Sequence, residues 1–201
     1  MAVELEVPAG ITAPTSMEAR PVAWPHGPAQ QFVAGRLAAA AALAAAGSAD
    51  RAVPREPDGR PRFPRSFPGS ISHTEHLAVA LVVPGAEAVG VDIEDVAVTE
   101  RMARFVFSEG ERRALLAPGG TYVPRELFAA KEAAFKALNG LGPPGAFVFW
   151  RIGLSRSGGV LTASYREESV PVWVRSQSGL SLAVAVRHRT QDFASNGETK
   201  Q

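Results

Sequence analysis

The run LAVALVV at Leu77–Val83 limits what this chain can become more than any other feature. An unbroken apolar run of this length, bounded by the polar SISHTEH before it and Pro84-Gly85 after it, reads as a largely buried strand. It has an echo near the other end of the chain. HLAVALVV closes one helix-bearing stretch and LSLAVAVR closes a second, so the sequence predicts two similar halves with a seam near residues 84–98.

The remaining elements fall around these strands. The first 30 residues are rich in proline and alanine and show no clear period, after which Gln31–Ala46 is a helix candidate ended by Gly47. Alanine favours helix but buries little, so Phe32, Leu37 and Leu43 are expected to supply much of its packing. Residues 48–69 read as loop. Ala88–Ile93 is a second short strand leading into Glu94 and Asp95, and the sequence from Thr99 to Leu116 returns to helical spacing before Pro118, Gly119 and Gly120 break it. Arg125–Leu138 is the clearest amphipathic helix, carrying Leu127, Phe128, Ala134, Phe135 and Leu138 near one stripe, with Asn139-Gly140 as its stop. Strands are predicted at Phe147–Leu154, Gly159–Tyr165, Val170–Arg175 and Leu180–Val186. The reading divides the chain into residues 1–95, residues 96–189 and a polar tail, 190–201, expected to be disordered.

Composition removes several classes of function. With 21 basic and 20 acidic residues the formal charge is +1, which gives no support to a nucleic-acid binder, so an anionic ligand must be caught by a local cluster. No cysteine is present, which excludes disulfides, thiolate metal sites and cysteine nucleophiles and fits a reducing compartment. MAVELEVPAG lacks the apolar core of a signal peptide, and Leu37–Ala46 is far shorter than the roughly 20 residues of a bilayer span. The expectation is a soluble, cytoplasmic protein without a membrane or nucleic-acid partner.

Four motifs carry chemistry. In GVDIED, Asp92 and Glu94 stand two apart on a strand, so both carboxylates project from one face, as a hard cation such as magnesium requires. In KEAAFK, Glu132 and Lys136 stand four apart on one helical face beside Phe128 and Phe135. In GSISHTEH, Ser72 and His73 offer a hydroxyl, an imidazole and backbone amides to a phosphate, whereas Glu75 and His76 are expected to face solvent. Arg36 and Arg60 add cations upstream. Each motif alone is also what a solvated strand end, a surface ion pair, a strand-edge histidine or a surface arginine looks like.

Their order is more specific than any of them. A helix with GR, then GRPxFP, GSISH, GVDIE, FSEGE and LFAAKEAAFK resembles the phosphopantetheinyl transferases of the surfactin and enterobactin type over about residues 30–187. The resemblance implies an α/β fold of the α+β kind, a pseudo-twofold monomer of two similar halves that binds coenzyme A and magnesium, or manganese, in the cleft between them. By motif position, Asp92, Glu94 and Glu132 resemble the metal carboxylates. Ser72, His73 and Lys136 resemble contacts to the phosphates, with Arg36 and Arg60 near the 3′-phosphate and adenosine. Two departures stand out: Phe128 where many relatives carry tryptophan, and Gln30 and Gln31 where relatives often carry basic residues.

The activity so implied moves the 4′-phosphopantetheine arm of coenzyme A to a serine of an apo acyl or peptidyl carrier protein and releases 3′,5′-adenosine diphosphate. Lys136 and His73 would neutralise phosphate charge, and Glu132 is both a candidate general base and a candidate ligand. An acidic carrier helix would dock on Arg101, Arg104 and Phe107. Two other readings fit the same residues: a magnesium-dependent pyrophosphate hydrolase, and a coenzyme A-binding protein without turnover.

Overall fold

The computed structural model describes residues 15–138 and 149–188. Among the described residues, eight strands form two antiparallel sheets. The first sheet has β3 (Leu77–Val82) at its centre, flanked by β1 (Ser16–Pro21) and β2 (Gly69–His73). The second runs β4 (Ala88–Glu94), β8 (Leu180–Arg187), β7 (Glu168–Gln177), β6 (Val160–Tyr165) and β5 (Gly153–Ser157). Helix α1 (Pro28–Ala45) lies against the first sheet, and α4 (Pro124–Leu138) against the second, with the short α2 (Glu100–Val106) and α3 (Glu109–Leu115) between.

The two apolar strands sit where their composition requires. On β3, Val79 and Leu81, with Val83 beyond its end, face the second sheet, and Ala78, Ala80 and Val82 face α1. On β8, Leu182, Val184 and Val186 face the first sheet, whereas Ala183 and Ala185 face α4. Both strands therefore turn large side chains inward between the sheets and mostly small ones toward a helix, which is the physical content of the echo in sequence. The central core of Val79, Leu81, Val83, Val89, Val91, Ile93, Leu182, Val184 and Val186 is shared by both sheets.

Hydrogen bonding assigns β4 to the second sheet, with Asp92 opposite Ala183. In sheet terms the chain crosses over between β3 and β4.

Helix α1 packs differently from expectation. Phe32 and Leu37 are largely exposed, while Ala34, Ala38, Ala39 and Ala42 are buried with Leu43 against Val53, Ala78, Ala80 and Val82. Small side chains let the helix axis approach the sheet closely, so alanine contributes through proximity where its own area is small. Gly47 ends the helix at φ +82, with the Gly47 amide donating to Ala44 O and the Ser48 amide to Leu43 O.

Three further differences have local causes. Ser108 forms a capping box with Glu111, which splits the helical region in two and turns Phe107 into the core at 2% exposure. Strand β1 has no alternating pattern and is held by its pairing with β3. Phe149–Arg151 is a 3-10 turn, and β5 begins at Gly153; the rest of the expected strand from Phe147, the Asn139-Gly140 stop and the tail from 190 lie outside the described residues. Among the described residues no helix is long and apolar enough to cross a membrane.

Candidate active site

Strand alternation on β4 sends Val89, Val91 and Ile93 into the shared core and Gly90, Asp92 and Glu94 toward α4. Asp92 is 6% exposed. Its Oδ1 accepts from Ser72 Oγ at 2.7 Å and from Lys136 Nζ at 2.8 Å, and Lys136 also donates to Val91 O at 2.8 Å. The lysine of KEAAFK is thus spent on the strand and does not form the surface pair with Glu132 that its spacing also allowed. Glu94, at the strand end, accepts from the Val96 amide at 3.1 Å.

Glu132 projects from α4 beside these groups and makes no hydrogen bond or ion pair among the described residues. Burial pushes its carboxyl pKa up, the Asp92 charge adds to this, and Lys136 opposes it. Glu94 is raised as well, first by burial and with contributions from Asp92 and Asp95. Lys136 pairs with Asp92 and also acts on Glu132, and Glu94 adds a third carboxylate nearby, so the oxygens present are hard donors of the kind a divalent cation takes.

Ser72 and His73 are neighbours on β2 and so project to opposite faces. Ser72 is buried, and its hydroxyl donates to Asp92 while the Ile93 amide approaches it at 3.4 Å. It therefore positions a carboxylate, and its hydroxyl proton is not open to a phosphate. His73 faces a recess of about 370 Å³ lined by Gln31, Phe32, Gly35, Arg36 and Arg55. Its pKa is pushed down by partial burial and by Lys136, against the pull of Asp92.

That recess is cationic. Arg36 stacks over Phe32 at 4.5 Å, and its buried Nε has no hydrogen-bond partner. Burial and the charge of Arg55 both lower its pKa. Two guanidiniums held near each other give the recess the positive charge that an anion requires. Arg55 was not legible as special, since it lies in a loop already crowded with arginine and proline. The recess adjoins a cleft of about 610 Å³ that reaches Glu132, Phe135 and Lys136. Arg60 lines the cleft with its guanidinium paired to Asp58 at 2.6 Å.

The docking residues separate. Arg101 and Arg104 are on exposed faces of α2, with Arg104 paired to Glu100, but Phe107 is buried and offers no surface. Phe105, 74% exposed, is the outward ring, and it stands 6.0 Å from exposed Trp150.

A second missed residue is Lys131, 1% exposed, which donates to Val106 O at 3.0 Å and pairs with Glu111 at 2.9 Å. Glu111 also accepts from the Leu154 and Ser108 amides. This buried group locks α2, α3, α4 and β5 behind the site. Helical spacing alone marks Lys131 as an ordinary polar position.

Two family models match the chain: the 4′-phosphopantetheinyl transferase N-terminal domain over residues 28–83 and the 4′-phosphopantetheinyl transferase superfamily over residues 88–187. Their junction falls between β3 and β4, where hydrogen bonding passes from one sheet to the other. The chain belongs to the 4′-phosphopantetheinyl transferases, enzymes that use coenzyme A as the donor of the arm they transfer. No curated protein matches it.

Proposed function

We propose that this enzyme transfers phosphopantetheine from coenzyme A to a serine hydroxyl of an apo acyl or peptidyl carrier protein. The observation that carries this reading is a cleft lined by Glu132 and Lys136, with Lys136 tied to buried Asp92, that adjoins the recess of Arg36 and Arg55. A pyrophosphate with a 3′-phosphorylated nucleoside at one end fits that distribution of charge.

In this reading the carrier serine oxygen attacks the β-phosphorus of coenzyme A, and the bond from that phosphorus to the oxygen bridging to the α-phosphorus breaks. The products are the phosphodiester on the carrier and 3′,5′-adenosine diphosphate. Glu132, with its raised pKa and unengaged carboxylate, takes the serine proton. His73 and the arginines hold the nucleotide end. Lys136 fixes Asp92 and places a positive charge near the reacting phosphate. Asp92 and Glu94, with Glu132 beside them, would hold magnesium or manganese, which would neutralise phosphate charge.

Incubation with coenzyme A, magnesium and an apo carrier protein, followed by mass spectrometry, is expected to give a carrier heavier by one phosphopantetheine. Carriers of several types that all stay unmodified would reject the reading, and phosphopantetheine released without an acceptor would mark a hydrolase. Glu132→Gln is expected to lower turnover by about 100-fold or more with coenzyme A binding kept. Loss of coenzyme A binding instead assigns Glu132 to the cation.

The exposed face of Arg101, Arg104, Phe105 and Trp150 supplies the positive and aromatic surface that an acidic carrier helix requires. Arg104→Glu is expected to raise the KM for carrier protein several-fold at low salt and to leave the KM for coenzyme A unchanged; an unchanged carrier KM places docking elsewhere.

A further inference from the structure

The turn joining β2 to β3 carries a group of ligand-type side chains that the transfer reaction does not use. His26 stands in the link before α1, and Glu75 and His76 lie in the turn itself. One donor atom from each lies within 4.8 Å of the other two, and among the described residues no other three His, Cys, Asp or Glu side chains are drawn together so closely. His26 Nδ1 is 3.7 Å from one Glu75 oxygen, and His76 Nε2 is 4.0 Å from the other. The two imidazoles meet edge to face, with centroids 4.5 Å apart.

The backbone holds this spacing. Buried Thr74 accepts from the amides of His76 and Leu77 through its hydroxyl, and its own amide donates to Leu77 O. The His76 carbonyl accepts from the Val22 amide, which ties the turn to the segment that leads from β1 to His26. Gln31 of α1 reaches the Thr74 carbonyl at 3.3 Å. Both sides of the cluster are therefore anchored before any ligand arrives, and Glu75 and His76 are open enough for waters to complete a coordination shell.

We propose that His26, Glu75 and His76 form a binding site for a divalent transition-metal ion of the zinc, nickel and cobalt group, distinct from the carboxylate cleft. Two imidazoles and one carboxylate suit these ions, whereas magnesium prefers oxygen donors throughout. Tetrahedral zinc with bonds of about 2.0–2.1 Å needs donors roughly 3.3 Å apart. The observed separations of 3.7 and 4.0 Å lie close to that. The bound ion staples the approach to α1 onto the β2–β3 turn, next to His73 and Gln31 in the wall of the cationic recess.

Zinc titration of the untagged full chain by calorimetry, in excess magnesium so that the carboxylates are occupied, tests this. One zinc per chain with a dissociation constant on the order of micromolar is expected, with a rise in Tm. His26→Gln and His76→Ala are each expected to weaken zinc at least tenfold, and Asp92→Asn is expected to leave it intact. Cobalt substitution should give a visible absorption band in the parent chain that His76→Ala abolishes. Millimolar or absent zinc binding overturns the proposal. So does zinc binding that survives both histidine substitutions, or that is lost in Asp92→Asn.

Discussion

Two residues at the cleft illustrate how burial sets chemistry. An unfolded glutamate ionises near pH 4.3, but the native Glu132 carboxyl keeps its proton to higher pH because its charge is buried among others. Between those values the native state holds the extra proton, so stability falls as pH rises through the window and the penalty is complete above the native pKa. Glu132→Gln is therefore expected to raise Tm at pH 8 without divalent ions, by about 2–4 °C for each kcal/mol relieved. The gain should vanish as pH approaches 4; thermal denaturation across pH checks it. At the other end, Arg36 lines the recess, and its buried Nε has no hydrogen-bond partner. Arg36→Gln is expected to raise the KM for coenzyme A about tenfold and to change little for the 3′-dephospho form, as steady-state kinetics would measure. Equal effects on both would remove the 3′-phosphate from this arginine.

At the level of elements, the site depends on how closely α4 approaches β4. A Cβ at Gly90 would stand 1.8 Å from the Ala133 carbonyl oxygen, so the glycine of GVDIE is a packing requirement as well as part of a motif. Gly90→Ala must push the helix away, and with it Glu132 and the Lys136 bond to Asp92. A loss of about 3 kcal/mol or more in urea denaturation is expected, together with loss of transfer. The same closeness explains why the buried face of α4 is mostly alanine, with Leu127 and Leu138 at its ends. Amphipathic spacing located the start of this helix to within a residue, and strand alternation placed Asp92 and Glu94 on one face, because both depend only on local periodicity. Helices α2 and α3 were merged, since the Ser108–Glu111 cap overrides a continuous helical period.

For the whole molecule, the decisive feature is that the two sheets share one core. Val79, Leu81 and Val83 are covered by residues of β4 and β8, so the first half has no complete core of its own. Residues 1–86 expressed alone are expected to lack cooperative unfolding and to bind a hydrophobic dye, whereas the full chain unfolds in one transition. Independent folding of that fragment would contradict a shared core.

The features legible in sequence were those fixed by neighbours along the chain. These include the two buried strands, the helix that carries Glu132 and Lys136, the paired carboxylates and the order of motifs. Tertiary structure decided who meets whom. It gave Lys136 to Asp92, turned Ser72 away from the recess, and buried Phe107 while exposing Phe105. It also added Arg55 and Lys131 and gathered His26 to Glu75 and His76. Periodicity gives the face on which a side chain lies. Which partner stands opposite depends on strand pairing and helix approach across dozens of intervening residues, and no local pattern encodes that.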